Sequence, residues 1–111
     1  MEPILTAQGT NGQIALYEHF LVITRKGVLS FMTHGFDGGK FIFLKAITGL
    51  QYKASGKLTS GFLQIIFQGS AENKNGLFSA TTDENTIVFA DNHNHEFKNL
   101  LEHLLKYQKS A

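Results

Sequence analysis

The chain has 111 residues, and its ten basic against nine acidic side chains leave a formal charge of +1, which gives no electrostatic case for nucleic acid. It has no cysteine, so disulfides, thiolate metal sites and a cysteine nucleophile are excluded together. Ten phenylalanines and eleven glycines against a single proline suggest many strands joined by tight turns, in one domain large enough to hold a core without a structural metal.

The N-terminus, MEPILTAQG, carries Glu2 and Pro3 and no apolar run, so it does not read as a signal peptide. No stretch approaches the ~20 apolar residues of a membrane span. A cytoplasmic domain is the expectation. Residues 1–12, ending in QGTNG, read as a turn-rich lead-in with little to bury. Gln13–Tyr17 then alternates, with Ile14 and Leu16 on one face, and Phe20–Arg25 follows after Glu18 and His19 as the second strand of a hairpin-like pair. Lys26-Gly27 is a turn signal, and Val28–Met32 continues as extended chain into the glycine-rich loop THGFDGGK.

Lys40–Ile47 reads as a strongly apolar strand and Gly49–Ser55 as another, with Leu50 and Tyr52 sharing a face. Phe62–Phe67 places Leu63, Ile65 and Phe67 on one face and Phe62, Gln64 and Ile66 on the other. Leu77–Thr81 and Asn85–Ala90 complete a set of seven strands at roughly ten-residue spacing, the pattern of a sandwich or barrel. The period then changes. Phe97, Leu100, Leu101, Leu104 and Leu105 lie at i, i+3, i+4, i+7 and i+8, the apolar stripe of an amphipathic helix over about residues 94–107. Asn92 or Asn94 is placed to cap it, and Glu96 suits the positive end of the helix dipole. One domain over residues 13–107 is expected, with 108–111 as a tail.

The segment FADNHNHEFKNLLEHLL gathers Asp91, His93, His95, Glu96 and His103, all potential metal ligands. At the head of a helix His93 and His95 lie about 200° apart, and His95 and His103 are roughly 12 Å apart along the axis. Neither pair can share an ion, so these histidines read as part of the helix rather than a zinc site. The loop HGFDGGK fails as a phosphate-binding loop: Gly35 is one residue too close to Gly39-Lys40, Phe41 stands where a hydroxyl is needed, and a strand follows. No GxSxG or HExxH is present, and no cofactor, metal or catalytic residue is expected.

The apolar excess is more informative. FIFL is apolar on both faces and FLQIIF nearly so, whereas an antiparallel sheet normally wets one face. Phe62 and Ile66, with either Phe41 and Phe43 or Ile42 and Leu44, are therefore candidates for an exposed association surface.

Seven strands and a C-terminal amphipathic helix form the element order of the pleckstrin-homology (PH) fold. The pieces ITRKG (23–27), THGFDGGKFIFL (33–44), ITGLQYK (47–53), GFLQIIFQGS (61–70), DENTIVF (83–89) and EFKNLL (96–101) resemble a bacterial PH-like domain of unknown function. The resemblance spans about residues 10–106. It implies a mainly β, seven-stranded antiparallel barrel or sandwich capped by the helix, and a non-enzymatic binding platform. Phosphoinositide-binding members concentrate lysine and arginine between the first two strands. Here that turn is Glu18-His19, so the signature is not matched. Similar bacterial members commonly carry a short helical oligomerisation segment after the domain, which is not expected before Ala111.

The leading expectation is a protein-interaction module, a homo-oligomer, using Phe41, Phe43, Phe62 and Ile66. A second reading is an anionic-headgroup or membrane-surface contact through Arg25, Lys26, Lys40 and Lys45. A third, less favoured, is a metal-dependent enzyme around His34, His93 and His95.

Overall fold

A computed structural model describes residues 2–25, 39–67 and 85–110. Within these residues the protein is mainly β, with two antiparallel sheets and one C-terminal helix. The first sheet has the order β1 (Leu5–Gln8), β2 (Gly12–Leu16), β3 (Phe20–Arg25), β4 (Gly39–Phe43). The second has the order β5 (Ile47–Lys53), β6 (Gly61–Phe67), β7 (Thr86–Phe89). Among the described residues no strand ladder joins the two sheets.

The segment read as lead-in is a strand. β1 pairs with β2 from Leu5↔Leu16 to Gln8↔Gln13, and Ala7 is fully buried. The Asn-Gly pair at 11–12 closes this hairpin, with Gly9 N–H donating to Gly12 O at 2.8 Å. A strand with one alanine and one half-buried leucine as its apolar face carries little hydrophobic signal, which is why it reads as loop. The expected elements at Val28–Met32 and Leu77–Thr81 lie outside the described residues.

The long strand expected over residues 40–47 divides. β4 ends at Phe43, and a three-residue 3₁₀ turn, Leu44–Ala46, carries the chain from the first sheet into β5 of the second. Leu44 N–H donates to His19 O at 2.9 Å, so the crossover is tied to the turn between β2 and β3.

The alternation of each strand then decides the core. Ile14, Leu16, Leu21, Ile23 and Ile42 project from the first sheet, and Leu63, Ile65, Ile87 and Phe89 from the second, into one cluster. The helix α1 (Asn94–Ser110) lays Phe97, Leu100 and Leu104 onto it, each contributing about 1.5–3 kcal/mol by burial. Phe97 stacks on Phe89 with ring centroids 4.1 Å apart, and Tyr52 stands behind Phe89 at 6.2 Å. Leu101 is half-buried at the margin of the cluster, while Leu105 is 52% exposed and stands outside it. The helix also runs to Ser110, three residues beyond the expected end at about 107, and Gln108 Nε2 donates to Leu44 O at 3.2 Å.

Neither asparagine caps α1. The 3₁₀ turn Asp91–His93 leads into it, and Asn94 already has helical φ and ψ of −52° and −42°. A capping residue keeps extended dihedrals. The Asn94 side chain turns instead to the backbone of Ser55. Glu96 Oε1 accepts from Gln8 N–H at 2.8 Å, tying the first turn of the helix to β1.

Candidate functional site

The alternation of β4 settles which half of FIFL is outside. Ile42 pairs with Leu21 and is buried in the core, so Phe41 and Phe43 face the other way. Phe43 is 63% exposed and Phe41 44% exposed. Their cross-strand partners are Val22 and Phe20. Phe20 packs on Phe41 at 5.4 Å between centroids, meets Phe43 edge-on at 6.4 Å, and stacks on Tyr17 at 4.9 Å. The result is an aromatic row across the outer face of β3 and β4. Its inner end is dry, because Tyr17, Ala15 and Val22 are buried. That burial pushes the Tyr17 phenol above the ordinary tyrosine range. Its outer end, at Phe43, faces water.

Polar and charged side chains stand near the open end. Glu18 and His19 are exposed, with His19 Nε2 3.2 Å from Glu18 Oε1, and Lys45 is exposed two residues after Phe43. An apolar centre with a polar rim is the ordinary anatomy of a protein-binding patch. Tyr17 and Phe20 were not among the residues expected to form it. The signal for them was present, since Ile14 and Leu16 facing inward force Ala15 and Tyr17 outward.

Phe62 and Ile66 are elsewhere. They lie on the outer face of β6 in the second sheet, opposite Val88 and Gly49, and both are half-buried. Gln64 between them is buried. The four candidate residues therefore divide into an exposed pair on β4 and a partly covered pair on β6.

Among the described residues the candidate cations sit on three different elements. Arg25 Nη1 donates to Thr86 O at 3.2 Å. Lys40 pairs in register with Ile23, which puts it on the core side, and its Nζ lies 5.2 Å from the centre of the Phe67 ring. Lys45 is on the crossover turn, and Lys26 lies outside the described residues.

The histidines are likewise occupied locally. His93 Nδ1 is 2.8 Å from Glu96 Oε2, His95 Nε2 is 3.3 Å from Asn99 Nδ2, and His103 Nδ1 donates to Asn99 O at 3.0 Å. Asp91 Oδ1 accepts from Asn94 Nδ2 at 3.0 Å. Among the described residues no three His, Asp or Glu side chains come together as a metal-binding group. His34 lies outside the described residues. A groove of about 510 Å³ runs along the outer side of α1 between Glu102, His103, Leu105, Lys106 and Lys109. No helix among the described residues is long and apolar enough to cross a membrane.

Residues 18–104 match the model of a family described as a domain of unknown function, DUF4429. No curated protein and no solved structure matches the chain.

Proposed function

Since the chain belongs to the DUF4429 family, whose description names no activity, we propose its function from the geometry: a non-enzymatic interaction module that self-associates through the outer face of β4. The observation that carries this reading is Phe43, a large apolar side chain 63% exposed beside Phe41 at the open end of an aromatic row. An exposed apolar pair with a charged rim gains by exchanging water for a matching surface, and a second copy of the same patch supplies one. The architecture behind it is a PH-like barrel or sandwich closed around the shared core, with α1 across one opening. Two antiparallel sheets whose inner faces meet under a C-terminal helix support that reading. The cytoplasm is the proposed location, in keeping with a chain free of cysteine.

The test is absolute mass in solution, by light scattering after size exclusion at two concentrations, for the native chain and Phe43→Asp. The native chain is expected at a multiple of 12.3 kDa that is steady on dilution. Phe43→Asp is expected at a lower mass with an unchanged circular-dichroism spectrum. A native mass of one chain at both concentrations overturns self-association through this face.

A further inference from the structure

We infer that the turn Gly9–Gly12 guards the outer edge of β7, and that lifting it lets β7 pair with β7 of a second copy of this chain. Strand alternation fixes which main-chain groups of β7 face β6. Asn85 O accepts from Ile65 N–H at 2.9 Å, so residue 85 faces β6, and by alternation Ile87 and Phe89 face it too. Thr86 and Val88 then direct their main-chain groups away from β6.

Those outward groups meet the turn. Val88 O accepts from Thr10 N–H at 2.7 Å, Val88 N–H donates to Asn11 Oδ1 at 2.9 Å, and Asn11 Nδ2 donates to Thr86 O at 3.1 Å. Arg25 adds a second donor to Thr86 O. A carboxamide carries the same acceptor and donor as a peptide group, so Asn11 stands in for one residue of a neighbouring strand. The close approach depends on glycine at both ends of the turn. A Cβ on Gly9 would collide with Ile87 Cγ2 and lie 2.6 Å from Val88 O, and one on Gly12 would lie 3.1 Å from Ile87 Cδ1.

The strand behind this guard has the composition of a strand acceptor. Thr86-Ile87-Val88-Phe89 holds no charge and no proline, and three of its four side chains are β-branched. With a twofold axis at Ile87, Val88 of one chain faces Thr86 of the second copy. Val88 N–H and Thr86 O then receive from that copy the kinds of partner Asn11 now supplies. A main-chain edge selects for extended backbone more than for side chains, and the nearest supply of a matching edge is this same chain.

This edge is distinct from the β4 face, so the two associations are separated by working in Phe43→Asp. Light scattering over a wide concentration range should show Asn11→Ala in that background rising to about twice the single-chain mass and falling back on dilution. Adding Val88→Pro should return it to one chain, because proline lacks the N–H and blocks edge pairing. In the native chain, hydrogen exchange of the Val88 amide should be at least about tenfold faster than that of Ile87 and Phe89, since the guard lifts without breaking the β6–β7 ladder. A folded Asn11→Ala that stays at one chain overturns the inference, as does an assembly indifferent to Val88→Pro. If Asn11→Ala does not fold, the exchange experiment decides: a Val88 amide as slow as its two neighbours overturns the guard, and a faster one upholds it.

Discussion

Asn94 grips the backbone of Ser55 at both of its polar groups, accepting from Ser55 N–H at 2.9 Å and donating to Ser55 O at 3.0 Å. The two residues lie 39 positions apart, and Ser55 is buried in the connection between β5 and β6. The pairing anchors the start of α1 to the second sheet.

It follows that aspartate, an equally good capping residue, is a poor replacement. Asn94→Asp keeps the acceptor for Ser55 N–H, loses the donor to Ser55 O, and places a carboxylate beside Asp91. Both Asn94→Asp and Asn94→Ala should lose about 1–3 kcal/mol, read as a lower urea midpoint with an unchanged slope. A residue acting only as a cap would show no loss with aspartate, and that result would contradict the assignment.

The helix stripe supplies a second contrast. Phe97→Ala removes a ring stacked at 4.1 Å on Phe89 inside the core, and should cost about 3–5 kcal/mol. Leu105→Ala, at a position of the same sequence stripe, should change stability by less than about 0.5 kcal/mol, because Leu105 is 52% exposed. Thermal melts of the two variants check this, and comparable losses would mean that Leu105 is covered in solution.

A third expectation concerns alkaline pH. Burial holds the Tyr17 phenol above its ordinary value, so the unfolded chain releases this proton first as pH rises. The linked stability is complete below the unfolded value of about 10 and falls as pH climbs through the folded one. Urea midpoints measured from about pH 8 to about pH 11 should therefore drop less steeply in Tyr17→Phe than in the native chain. Parallel slopes would show that the ring is solvated.

How much of this was legible in the sequence varies with the kind of signal. The helix was readable because Phe97, Leu100 and Leu104 repeat at a period no strand shares, and these three do reach the core. The stripe could not say where on its width the core would stop, which is why Leu105 misleads. β1 was missed because Ala7 is the apolar side chain it buries completely. Yet Asn11-Gly12 between LTAQ and QIAL is itself a hairpin signal, independent of hydrophobicity. On β4, composition narrowed the outer face to two alternatives, and the Leu21↔Ile42 register chooses Phe41 and Phe43. The roles of Lys40, Asn11 and Asn94 depend on neighbours brought up from distant parts of the chain, which no local pattern records.

The crossover at Leu44 carries a practical consequence. Its N–H is held by the turn between the first sheet's strands, and its carbonyl by Gln108 in the last turns of α1. The final helical turn therefore helps set the angle at which the chain leaves one sheet for the other. A fusion partner joined after residue 107, where the sequence pattern suggests the domain is finished, would displace Gln108 and disturb the join between the sheets from the far end of the chain. Labels and linkers belong after Ala111.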